Sequence, residues 1–190
     1  MYNSFFKTHS HNDSVQYIAR IPTLGMGEVC TKMSIGRAHD YLLSFCETGD
    51  EVNIYVTSLT SYKPFTFGPI RTEARAVNHV KIVDNILMLV DNDDNPFVRA
   101  GGVYLYYLDF SSPSVYDMIT MLDYLDYEDL QIEGFSGIGY IGSADIHRPM
   151  FTDEEYAIFL TEARSGNIFS FLFHPSANKQ EAVYLQRKMI

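Results

Sequence analysis

Several short runs carry side chains that could do chemistry. In His9-Ser10-His11-Asn12-Asp13, two imidazoles and a carboxylate stand at alternate positions. On an extended chain alternate side chains share a face, so His9, His11 and Asp13 could hold a metal. The plainer reading, a solvated terminus, is preferred. Asp91-Asn92-Asp93-Asp94-Asn95 sets oxygen ligands at alternating positions, as in the first half of a calcium loop. Asp91, Asp93 and Asn95 are the candidate calcium ligands. Against this, Pro96 stands where such a loop needs a flexible glycine, and residues 97–100 offer no later carboxylate. Asp and Asn are also the ordinary residues of turns.

Gly137-Ile138-Gly139-Tyr140-Ile141-Gly142 spells a dinucleotide fingerprint. That fingerprint needs a helix opening at its end, and residues 143–149 do not read as one. No cofactor is expected. Asp145 and His147 stand two apart on an expected strand and share a side, as a general base and its partner would. A structural hydrogen bond is the commoner role of such a pair. A hairpin centred on Ala38 places Cys30 opposite Cys46, and a reduced, buried pair is expected. His39 falls at the far end of that hairpin, too remote to activate a thiol. No Gly-x-Ser-x-Gly elbow is present, and no two of the many carboxylates stand out as a glycosidase pair. The catalytic list is empty, and the enzyme question stays open with the reading leaning against it.

The whole chain narrows the classes further. It has 190 residues, 46% hydrophobic and 20% charged, which fits a folded domain with a sizeable core. Its 24 acidic and 14 basic side chains give a net charge of −10, which argues against direct nucleic-acid or anionic-membrane binding. No apolar run reaches the length of a spanning helix, and residues 1–12 lack an apolar leader segment. Two cysteines do not make a disulfide framework. A cytoplasmic protein is the expectation.

The elements that would position these residues repeat. Residues 40–59, 84–110 and 155–175 each hold an apolar run, a polar turn with glycine, and a second run rich in aromatic and β-branched residues. That is a β-hairpin signature. A shorter apolar segment precedes each hairpin (29–35, 76–83 and 141–146). A further candidate strand follows the first and third (62–67 and 182–185). Four strands in series make one unit, so an all-β chain of mainly antiparallel four-stranded sheets is expected. Units at 29–68, 76–133 and 138–187 fall within one domain over 15–190, behind a flexible stretch at 1–14.

Two segments invite a helix. Ser112-Pro113 reads as an N-cap with proline at the first helical position, and Val115, Met118, Ile119, Leu122 and Leu125 follow at helical spacing. A short acidic helix near 113–130 is expected there. Its acids Asp123, Asp126, Glu128 and Asp129 form a solvated face or a docking site for a basic partner. Thr152-Asp153-Glu154-Glu155 reads as a capping box before Tyr156, Phe159, Leu160 and Ala163. The run at 168–173 needs a hairpin partner, so 153–164 is read as strand.

With these units the chain resembles the WD40-like β-propeller superfamily. The cadence of SADIHRPMFTDEEYAIFLTEARSGNIFSFLF at 143–173 matches a blade, and the step from Asp40 to Asp84 fits a blade period of about 40–50 residues. The longer step to Glu155 is taken up by the 91–102 loop and the 112–133 segment. The Trp-Asp and Gly-His signatures are absent, so no residue of that family's structural network carries over. The resemblance implies an incomplete propeller, since a ring needs roughly four to eight blades. Open blades expose strand edges and apolar faces. A second copy, another protein, or a longer polypeptide containing this chain would have to complete the ring. The expected function is a non-catalytic scaffold or interaction subunit of a larger assembly. The alternatives are a propeller-type hydrolase acting on glycans and a small-molecule-binding β-barrel, with a compact barrel or an α+β fold as the competing architecture.

Overall fold

The computed structural model describes residues 2–8, 15–22, 29–35, 41–48, 51–58, 65–91, 102–112, 114–126, 141–149, 155–162, 166, 168–175 and 185–189. In chain order the strands are β1 (Tyr2–Thr8), β2 (Val15–Pro22), β3 (Val29–Ile35), β4 (Tyr41–Thr48), β5 (Glu51–Ser58), β6 (Phe65–Arg71), β7 (Val77–Val83), β8 (Ile86–Asp91), β9 (Gly102–Leu108), β10 (Ile119–Asp126), β11 (Ile141–His147), β12 (Tyr156–Glu162), β13 (Ile168–Phe173) and β14 (Leu185–Met189). They form one two-stranded sheet, β1-β2, and three four-stranded sheets: β3-β4-β5-β6, β7-β8-β9-β10 and β11-β12-β13-β14. Every pairing is antiparallel and joins strands consecutive in the chain. The chain is therefore all-β. Among the described residues no sheet closes into a barrel, and the only helical element is a single 3-10 turn at Val115–Asp117.

The expected helix near 113–130 is corrected to this turn followed by β10. Ser112 does act at the start: its hydroxyl accepts the Ser114 N–H at 3.3 Å, and the Asp117 N–H reaches the Ser114 carbonyl at 3.2 Å. The turn stops there because the chain pairs with β9. Register in that pair shifts between Met121 and Asp123, leaving Leu122 as the extra residue of a bulge. A bulge interrupts the two-residue alternation of a strand. Leu122 and Leu125, three apart, thus reach one apolar cluster, while Ile119 and Tyr124 reach the other. Helical spacing in the sequence came from a bulged strand.

The 153–164 segment holds strand β12, as expected over the competing helix. Within the stretch expected to be a flexible N-terminus, Tyr2–Thr8 pairs with β2.

Alternation explains how the sheets pack. Opposite faces of a strand carry alternate residues. Leu87, Leu89, Tyr104, Tyr106 and Leu108 of the middle sheet turn toward Leu43, Phe45, Ile54 and Val56 of the sheet before it. Ile86, Met88, Val90, Val103 and Leu105 turn toward Ile146, Ile158, Leu160 and Phe169 of the sheet after it. The middle sheet is buried on both faces, so β8 reads as an unbroken apolar run, Ile86 to Val90. The first strands also lie side by side, β3 against β7 and β7 against β11.

Residues 72–76 connect the first four-stranded sheet to the second, and polar contacts hold them to both. The Val52 N–H donates to the Ala74 carbonyl at 3.0 Å, and the Thr72 N–H returns to the Val52 carbonyl at 3.1 Å. On the other side Asp91, buried at the end of β8, accepts the Arg75 N–H at 2.8 Å and the Ala76 N–H at 3.2 Å.

Gly68 sits opposite a register shift in β5 and has φ +130°. A Cβ there would meet Tyr55 Cδ1 at 2.8 Å and the Ile54 carbonyl oxygen at 2.9 Å. Gly166 has φ +72° but open space around it. Gly68→Ala should therefore cost about 2 kcal/mol or more, from backbone strain plus the clash, and Gly166→Ala about 1 kcal/mol from the backbone alone. Urea unfolding of both variants checks the order. Leu105→Ala, at a fully buried position between two sheets, should cost about 2–5 kcal/mol in the same measurement.

Candidate interaction surface

The junction between the second and third four-stranded sheets is built on the β7–β8 turn. Asp84 occupies that two-residue turn with φ +52°, a left-handed conformation that Asp tolerates better than most side chains. Its carboxylate faces the next sheet. Arg148 Nη1 donates to Asp84 Oδ2 at 3.0 Å, and the Tyr156 hydroxyl donates to the same oxygen at 3.2 Å. Beside them Asn85 Nδ2 donates to the Tyr107 hydroxyl at 3.3 Å. Lys81 of β7 meets Asp145 of β11 at 3.4 Å. Glu155 and His174, just outside β12 and β13, approach to 2.9 Å. The Asp84 and Lys81 contacts fasten one sheet to the next, while Asn85–Tyr107 and Glu155–His174 each tie neighbouring strands of one sheet. Three or more His, Cys, Asp or Glu side chains do not converge as a metal site among the described residues.

The two faces of the terminal sheet differ sharply. Its inner face carries Ile146, Ile158, Leu160, Phe169 and Phe173, all buried. On the outer face, register places Phe159 opposite Asp145 and Ser170, Thr161 opposite Ser143 and Ile168, and Ala157 opposite His147 and Leu172. Phe159 is 38% exposed and Ile168 is 41% exposed. The first four-stranded sheet makes the contrast. Its face turned away from the middle sheet carries Leu42, Ser44, Cys46, Asn53, Tyr55 and Thr57, and every one is buried. The middle sheet shows Tyr107 and Met121 to solvent, and on the terminal sheet Phe159 and Ile168 stand exposed on its two central strands, β12 and β13. β12 carries apolar residues at both parities, Phe159 as well as Ile158 and Leu160.

The structure disperses the residues singled out in the sequence. Asp91 spends its carboxylate on two backbone N–H groups, while Asp93 and Asn95 lie outside the described residues, as do His9, His11 and Asp13. Asp123 sits on β10 and accepts the N–H of Tyr124 at 2.8 Å. Asp126 ends that strand, and Glu128 and Asp129 lie outside the described residues. The helix that would have presented these four acids is not formed. Asp145 and His147 do share a face, but Asp145 is engaged by Lys81 and by the Ile146 N–H at 3.0 Å. Residues after Gly142 continue as strand β11, so the helix a dinucleotide fingerprint requires is missing. Cys30 pairs with Cys46 in the β3–β4 register, as the hairpin centre implied. Cys46 is disulfide-bonded, which corrects the expectation of a reduced thiol. No helix among the described residues is long and apolar enough to cross a membrane.

No family model, no curated protein and no solved structure matches this chain.

A group of tyrosines marks the middle sheet. Tyr104 lies against Tyr124, with ring centroids 4.4 Å apart and planes tilted by 37°, and donates its hydroxyl to the Glu73 carbonyl at 3.3 Å. Burial raises the Tyr104 and Tyr106 phenols well above the ordinary 10.0, and the Tyr124 phenol adds to the first. Tyr156 is raised too, by burial and then by the adjacent Asp84 carboxylate. The folded chain thus holds these protons more tightly than the unfolded chain. Stability should be intact below pH 10 and fall as pH rises beyond it. A tyrosinate absorbance titration with parallel circular dichroism checks this: these phenols should ionise last, with loss of the fold. Asp84→Asn should bring Tyr156 ionisation to lower pH.

Proposed function

We propose that this chain is a non-catalytic, propeller-like scaffold that works as an interaction subunit of a larger assembly. The observation that carries this reading is the outer face of the β11–β14 sheet, where Phe159 and Ile168 stand exposed on the central strands while the inner face is packed into the core. A sheet with apolar residues at both parities is built to be sandwiched. Three four-stranded meanders in chain order, with first strands β3, β7 and β11 adjacent in turn, support a blade-like arrangement around an axis. Three such sheets and one two-stranded sheet fall short of a closed ring, and the uncovered face is where the ring would continue.

The catalytic alternatives draw no such support. The well-placed carboxylates of the described residues are engaged in holding the fold: Asp91 by backbone N–H groups and Asp84 by Arg148 and Tyr156. The carrier alternative needs a closed barrel, and the sheets are open.

Occupancy of the face is directly measurable. Hydroxyl-radical footprinting of the protein at high concentration and after strong dilution should show Phe159 and Ile168 protected in the concentrated, assembled state. Tyr116, 80% exposed beside β10, should be labelled equally in both. Equal labelling of Phe159 across all conditions, including co-purified material, would overturn the reading.

A further inference from the structure

We infer that the occupant of the outer β11–β14 face is a second copy of this chain, and that two copies close one ring head to tail. This rests on the interaction reading above and names its partner. The first argument is complementarity of ends. The terminal sheet offers an uncovered face at one end of the series, and at the other end β1-β2 stands as a sheet of two strands where the others have four. Joining the end of one copy to the start of the other, twice, is the two-fold solution. Two copies supply, from the described strands, six four-stranded and two two-stranded sheets, within the roughly four to eight units that rings use.

The second argument is area. The terminal sheet has strands of 7, 7, 6 and 5 residues. With strands about 4.8 Å apart and about 3.3 Å of rise per residue, its face covers about 400 Å². One junction, counting both partners, buries about 800 Å², the size of a crystal contact rather than a stable complex. A closed two-fold ring makes two junctions and buries about 1,600 Å², the size of a standard specific interface. Open chains of copies gain only one weak junction per addition. The closed pair is therefore favoured over filaments, even though head-to-tail contacts can in principle continue without end.

Charge sets the salt dependence. Each copy carries −10, so bringing two together is opposed by long-range repulsion that salt screens. The apolar centre of the face, Phe159 with Ile168 and Leu172, supplies the attraction. Self-association should strengthen as salt rises, whereas docking of a basic protein on this acidic chain would weaken.

Sedimentation equilibrium of the purified chain tests this. The expected result is a single species at twice 21.7 kDa, with no larger oligomers, and a tighter dimer at higher salt. Phe159→Asp and, independently, Ile168→Lys should each weaken dimerisation by at least tenfold while leaving the circular dichroism spectrum unchanged. Tyr116→Ser should leave dimerisation as it was. A monomer throughout the concentration range, an open-ended series of oligomers, or a dimer indifferent to both face variants would overturn the inference. If footprinting still protects Phe159 in an assembly lacking a second copy, the second-copy inference fails and the interaction reading stands. If Phe159 is never protected, both fail.

Discussion

Everything described depends on one constraint: the middle sheet must be covered on both faces. β8 and β9 project apolar side chains in both directions, Leu87 and Leu89 one way, Ile86, Met88 and Val90 the other. Neither cluster is complete without a neighbouring sheet, so the three sheets stabilise one another rather than standing alone. At roughly 25 cal/mol per Å² of apolar area removed from water, those two clusters supply the main favourable contribution to the fold. The terminal sheet has such a neighbour on its inner face, and on the other face Phe159 of a central strand is left at the surface.

Polar groups set the geometry that burial alone would leave loose. Hydrophobic attraction is non-directional, and two sheets could slide past each other at little cost. Asp91 prevents this on one side by holding the 72–76 connection at two N–H groups, and Asp84 does so on the other by receiving Arg148 and Tyr156. The turn after β9 is set in the same manner. Asp109 Oδ1 accepts the Ser111 hydroxyl at 2.6 Å and the Ser111 N–H at 3.0 Å, and these bonds hold its carboxyl below the usual range. Aspartate is thus a structural residue here. A net negative charge and a run of acids suggested ligands or docking, yet several of these side chains are engaged by backbone or neighbouring groups of the same chain.

How much was legible in the sequence follows from which physical signals are local. Hairpins at 40–59, 84–110 and 155–175 were readable because alternation and turn residues are local properties. The opposition of Cys30 and Cys46 was readable because one hairpin centre sets a register. The helix at 113–130 was a misreading with a specific origin: the extra residue Leu122 shifts the strand's period toward three, and an N-cap serine before Pro113 starts a turn that tertiary pairing with β9 ends. The Asp84 contacts were not legible at all. Residues 84, 148 and 156 meet only once two sheets are packed, and no spacing in the chain announces that. The exposed face was not legible either: Phe159 entered the reading only at helical spacing after the capping box, and its exposure is a property of how the sheets stack.

The pairing scheme has a consequence for how the protein is made. Each described strand bonds only to its described neighbours in the chain, so a sheet can form as soon as its own stretch has emerged from the ribosome. Long-range loop closure, the slow step for many β proteins, is confined to stacking sheets that already exist. The first four-stranded sheet can wait with half its apolar surface bare only until the second arrives, and the second until the third. The third has no successor among these strands. Among the described strands, its outer face is therefore the one whose bare time no later pairing in the series shortens.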